Sequence, residues 1–195
     1  TTLAIDASAV TGIASDTVAN IKTLLTAGND TAQFTAASFE SIATAVVSDT
    51  TLSGSDLADA IDQANAATGG TGTVFTISAV DTITGSEANF TALLTDEGNT
   101  QIAITDQNLT VNTGEISVTN ANLLDATTSG TVTATIDAGT TVDTLETLTG
   151  TNAYTITIDA GDATAKTAAE FNTINGKTTL AIDASAVTGI ASDTV

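Results

Sequence analysis

The stretch Thr-Thr-Leu-Ala-Ile-Asp-Ala-Ser-Ala-Val-Thr-Gly-Ile-Ala-Ser-Asp-Thr-Val occupies residues 1–18 and recurs without one change at 178–195. An identity of 18 residues does not arise by chance. It sets a period of 177 residues, so the chain holds one period and the opening of the next. The expected organisation is therefore residues 1–177 as one repeat period and 178–195 as the start of an identical one. A long tandem array is the natural setting for such a pattern. The chain begins at Thr1 without a Met, as a processed product or a piece of something longer would.

Weaker repeats run inside the period. Ala4-Ile5-Asp6-Ala7 matches Thr76-Ile77-Ser78-Ala79, Thr135-Ile136-Asp137-Ala138 and Thr157-Ile158-Asp159-Ala160. Phe34-Thr35-Ala36-Ala37 and Ala103-Ile104-Thr105-Asp106 are looser versions. Alternation of Thr with Ile, Val or Phe is a period-two pattern of strand-forming residues. Each such run leads to a second motif at 15–25, 55–61, 86–94, 117–124 and 167–174. In each, Ser or Thr opens an Ala-containing stretch with apolar residues three and four apart, the pattern of a capped short helix. Caps placed at 15, 55, 86, 117, 147, 167 and 192 divide the period into six units of roughly thirty residues, a spacing typical of stacked repeats. The unit around Thr147 has little room for a helix.

These patterns predict a mainly β fold, a parallel β-solenoid with short helices in some coils and about six coils per 177-residue period. A geometric conflict accompanies that expectation. Strands stack about 4.8 Å apart, whereas helix axes need roughly 8–10 Å. A coil cannot carry a full helix at every level unless the stack bends or some helices shrink to a turn.

Composition narrows function. The chain has 23 Asp and Glu against three Lys (Lys22, Lys166, Lys177), for a net charge of −20, and lacks Arg, His, Cys, Met, Trp and Pro. Thr and Ala together supply 78 of its 195 residues. The commonest general base, every thiol nucleophile and the soft-metal ligands are missing, so no enzyme is expected. Three lysines cannot neutralise a phosphate track, which disfavours nucleic acid. No apolar run approaches the ~20 residues of a membrane span, so no membrane insertion is expected. Charged residues make up only 13% and hydrophobic ones 42%, enough to bury a core of small aliphatic side chains.

The phrases at 84–94 (Thr-Gly-Ser-Glu-Ala-Asn-Phe-Thr-Ala-Leu-Leu), 93–100, 135–139 and 168–179 resemble the Thr/Ala/Asp-rich tandem repeats of giant secreted or cell-surface proteins of bacteria, particularly marine cyanobacteria. That resemblance covers essentially the whole chain. It implies surface attachment, surface motility or extracellular matrix, and carries over no site residue.

Asp6, Asp137, Asp159 and Asp183 recur at one place in their units. A stack of these carboxylates is a candidate calcium column, because calcium takes carboxylate and carbonyl oxygens. The competing expectation, which we prefer, is that each Asp accepts the backbone N–H of its own following turn. The three Asn-x-Ser/Thr sequons (Asn29, Asn89, Asn108) follow from composition alone. The expected function is a structural repeat segment of a long extracellular fibre or cell-surface protein, a stiff acidic spacer whose partner is itself, end to end or laterally. An adhesin or phage-type tail-fibre module that binds a surface glycan is the alternative, with the irregular stretch 44–55 as its site. An ice-binding face on the Thr ladders Thr131-Val132-Thr133-Ala134-Thr135 and Thr155-Ile156-Thr157 ranks below both.

Overall fold

Each repeat begins with a few extended residues whose last Ser or Thr becomes a helix cap. The computed structural model describes residues 3–30, 32–35, 38–70, 72–163 and 166–192. They belong to two compact units, Thr1–Ile104 and Thr105–Val195.

In the first unit β1 (Gly12–Asp16) precedes α1 (Val18–Gly28), and β2 (Thr44–Val47) and β3 (Thr51–Ser53) precede α2 (Gly54–Thr68). β4 (Val74–Thr76) and β5 (Thr82–Ser86) then lead into α3 (Glu87–Gly98). All pairings are parallel. β1, β2 and β4 form one ladder, with Gly12 opposite Thr44 and Thr44 opposite Val74. β3 pairs with β5 through Leu52 and Ile83. On α2, Leu57, Ala60, Ile61 and Ala64 are fully buried, the i, i+3, i+4, i+7 stripe of a core-facing helix. Ile21 and Leu25 of α1, Phe90 and Leu93 of α3, and Ala45, Phe75 and Ile83 of the strands complete that core. Gly69 ends α2 at φ 64°, a left-handed cap that suits glycine. Gly28 ends α1 for another reason: a Cβ there would lie 2.2 Å from the ring of Phe39.

The second unit repeats the theme on shorter elements. β6 (Asn108–Thr113), β7 (Val132–Thr135) and β8 (Ala153–Thr155) form a parallel ladder, with Leu109 opposite Val132 and Ala134 opposite Tyr154. α4 (Val118–Thr127) follows β6, whereas α5 (Val142–Leu145) and α6 (Ala160–Ala163) are single turns. α7 (Ala168–Asn175) is the last helix among the described residues. Inward residues alternate along β7: Val132 and Ala134 are buried, and Thr135 is exposed. Leu109, Leu124, Leu145, Tyr154, Ile156 and Ile174 line the core.

The mainly β expectation is overturned. The fold is mixed α/β, with parallel sheets, helices of up to fifteen residues, strands of three to six, and no closed solenoid. The physical reason lies in the Thr/Ile runs that were to be the coils. They make mostly isolated bridges, such as Ile5 with Phe34, Ile116 with Ile136 and Thr157 with Asp183. The Ala-containing stretches behind the caps, by contrast, propagate into full helices, as Ala's propensity favours. The strands lie elsewhere, chiefly just before the caps: β3 ends on Ser53 and β5 on Ser86, each also an N-cap. Residues 103–106 form no strand. Ala36 and Ala37 of the 34–37 run, and residues 193–195 of the second copy, lie outside the described residues.

Candidate functional site

Acidic residues are the chemistry this chain offers, so the candidate site is built from where the fold puts them. Ser8 N–H donates to Asp6 Oδ1 at 3.0 Å, Ser185 N–H to Asp183 Oδ1 at 2.9 Å, and Gly161 N–H to Asp159 Oδ1 at 2.7 Å. Each is an Asp accepting the N–H two residues on, the Asx-turn geometry. The side-chain and backbone hydrogen bonds from Ser8 and from Ser185 hold the Asp6 and Asp183 carboxyls below the ordinary value. Asp137 is half-buried, and its carbonyl accepts from the Thr140 N–H and hydroxyl.

Register separates these residues. Thr135 lies opposite Thr155, and Thr157 opposite Asp183. Asp137 is thus at the level of Thr157, and Asp159 sits two residues further along. Asp6 belongs to the first compact unit and the other three to the second.

Among the described residues, the carboxylates that do converge are Asp143, Glu146 and Glu170, with oxygens within 4.8 Å of one another. Asp143 lies on the one-turn α5, and Glu170 is the third residue of α7. Glu170 Oε2 accepts from the Thr167 N–H at 2.7 Å and its hydroxyl at 2.8 Å, closing a capping box. Those bonds, the backbone one first, keep the Glu170 carboxyl below its usual value. Lys166 Nζ pairs with Asp143 Oδ1 and stands 3.7 Å from Glu170 Oε1. The ammonium therefore occupies the place a bound cation would take.

Lys22 of α1 does the same in the first unit. Its Nζ lies 3.1 Å from Asp56 Oδ1 and 2.7 Å from Asp59 Oδ2 of α2. Hydrogen bonds from Asp59 and then Asp56 raise the Lys22 pKa. The spacing of Asp56 and Asp59 puts both on one helix face. That was legible, but the partner on a different helix was not.

Two further groups escaped sequence reasoning. Asp96 of α3 is half-buried, and burial followed by the charge of Asp62 pushes its carboxyl up to about 6. Tyr154, the single tyrosine, is fully buried. Burial and then the Asp125 charge push its phenol up to about 12. Asn152 Nδ2 donates to Asp125 Oδ1 at 2.7 Å and to the Tyr154 hydroxyl at 3.3 Å, while that hydroxyl donates to Ala121 O at 3.4 Å. Asn152 Oδ1 accepts from Val132 N–H at 2.9 Å. This network ties α4, β7 and β8 together in the second unit. A lone Tyr amid aliphatic residues was its only sequence signal.

No family model, curated protein or solved structure matches the chain.

Proposed function

We propose that this chain is a structural repeat segment of a long extracellular fibre or cell-surface protein, serving as a stiff, acidic spacer. The single observation that carries this is the exact recurrence of residues 1–18 at 178–195. Sequence conserved to that degree within one chain fits a part whose role is to be repeated. Three features support it. The pairings are parallel and step forward along the chain, so each repeat offers the next a surface like its own. The charge of −20 recurs with every period and keeps neighbouring fibres apart. The converging acids are engaged by caps and lysines, roles that serve the scaffold. Self is the partner this reading implies.

The test is electron microscopy and small-angle scattering of chains with one, two and four periods. Continuous rods that gain a constant length per added period are expected. Flexible beads, or a compact particle whose length does not grow, would overturn the reading.

A further inference from the structure

One segment occurs twice in this chain, so its two surroundings can be compared. Residues 3–15 lie in the first compact unit and 180–192 in the second. Their internal geometry is the same. Ser8 N–H reaches Asp6 Oδ1 at 3.0 Å and Ser185 N–H reaches Asp183 Oδ1 at 2.9 Å. Val10 N–H donates to Ala7 O, and Val187 N–H to Ala184 O, both at 3.0 Å.

Their neighbours differ. In the first copy Ile5 N–H donates to Gln33 O and Ile5 O accepts from Thr35 N–H, both at 2.9 Å. Ala7 N–H donates to Ser38 Oγ at 3.1 Å, and Thr11 O accepts from Ala43 N–H at 2.9 Å. All these partners follow the segment in the chain. In the second copy Asp183 N–H donates to Ile156 O and Asp183 O accepts from Ile158 N–H, both at 2.9 Å. Thr179 N–H donates to Asn152 O, and Ala191 N–H to Lys166 O, both at 2.8 Å. All these partners precede it.

The two sets do not compete. One period of 177 residues earlier, Thr179, Asp183 and Ala191 correspond to Thr2, Asp6 and Ala14, all at even positions. The first copy uses Ile5, Ala7 and Thr11, all odd. Successive residues of an extended strand turn their N–H and C=O to opposite edges. Each copy therefore uses one edge of the same strand and leaves the other. Among the described residues neither Ile182 nor Asp6 has a backbone hydrogen-bond partner. The apolar flanks are uncovered too: Leu3 is 91% and Ile5 60% exposed, and Ile190 is 56% exposed beside a hollow lined by Phe171, Ile182 and Val187.

We propose that residues 178–192 are a joint between periods. The segment pairs backward with 152–158 of its own period and forward with residues 33–43 of the following period, whose opening segment it is. This rests on the same recurrence as the proposed function, but it does not require that the array be stiff or lie at a cell surface.

The test is a two-period chain, residues 1–177 joined directly to residues 1–195, segmentally labelled for amide hydrogen exchange. The amide at the central Ile182 position is expected to exchange at least about 100-fold more slowly than Ile182 of the 195-residue chain, as pairing into a folded ladder requires. The Asp183 amide should be protected in both. Equal exchange of Ile182 in the two chains would overturn the joint. Ile182→Asp in the central segment supplies a second readout. It should lower the unfolding midpoint of the two-period chain more than that of the 195-residue chain, and equal shifts would count against the proposal. Protection of Ile182 in the 195-residue chain at high concentration, together with a doubled mass, would reassign the edge to non-covalent pairing and also overturn it. Central protection in chains that nonetheless behave as flexible beads would leave the joint standing and remove the spacer reading.

Discussion

Asp96→Asn should stabilise the protein above neutral pH and leave it unchanged in acid. Asp96 sits in the last turn of α3, where an anion faces the negative end of the helix dipole. It is half-buried, and Asp62 of the neighbouring α2 adds a like charge. Burial first and Asp62 second push its carboxyl from 3.8 up to about 6. Below the unfolded value both states hold the proton, and the site costs nothing. Between 3.8 and about 6 the folded state keeps a proton that the unfolded state has lost, so stability falls as pH rises. Above about 6 the whole penalty is present. Roughly two pH units at ~1.4 kcal/mol each give about 3 kcal/mol as an upper limit. Solvent reaches the outer part of this side chain, and screening reduces the figure to about 1 kcal/mol. That corresponds to roughly 3 °C in melting temperature for a chain of this size. Urea unfolding of both chains between pH 4.5 and 8 measures it. The variant should be the more stable at pH 8, with an advantage that shrinks steadily toward pH 4.5. A neutral or destabilising effect at pH 8, or an advantage that does not change with pH, would refute the burial-and-repulsion account.

Three further outcomes follow from the geometry. Ser86→Ala removes the hydroxyl that accepts from Asn89 N–H at 3.3 Å in the α3 capping box, and should cost about 1 kcal/mol in urea unfolding; an unchanged midpoint would show that the cap contributes nothing. Tyr154→Phe gives up two long hydrogen bonds but leaves Asn152 bonded to Asp125, so a loss near 0.5–1 kcal/mol is expected, and a loss of several kcal/mol would mean the hydroxyl anchors more than the network described. Because Asp6, Asp159 and Asp183 accept from their own turns and are offset in register, millimolar calcium should leave the melting midpoint where EDTA leaves it, and a rise with calcium would restore the column.

Helices were the legible part of this fold. Ser86, Ser117 and Thr167 cap α3, α4 and α7 where the motif places them. The caps of α1 and α2 fall at Thr17 and Ser53 instead of 15 and 55, and α5 is capped by Thr141 instead of Thr147. Capping is a local bond between a hydroxyl and an N–H three residues on, so sequence records it directly. Strands were misplaced because pairing is a contact between distant segments. Thr82-Ile83-Thr84 and Thr76-Ile77-Ser78 have the same alternation, yet β5 takes all of the first and β4 reaches only Thr76 of the second. The candidate site divides in the same way. The Asx role of three aspartates is local and was legible, whereas the Lys22 and Lys166 pairs join different helices or loops and were not.

The conflict between strand and helix spacing explains why one repeat pattern yields two kinds of unit. In the first unit α1, α2 and α3 run to 11, 15 and 12 residues and pack side by side. Close approach there relies on small residues: Ala60 and Ala64 are both fully buried on α2. The second unit takes the other course. α5 and α6 are four residues each, and Val132 and Tyr154 sit one short segment apart instead of some thirty residues apart as in the first unit. Shortening a helix to a turn removes the spacing conflict, but it also removes buried apolar area. The Asp125–Asn152–Tyr154 network lies in that shorter unit, where fewer helical side chains fill the core and a large aromatic with satisfied polar partners can take their place. A period that alternates long-helix and short-helix repeats can therefore recur without choosing one spacing, provided that the segment shared between periods meets a neighbour on each of its edges.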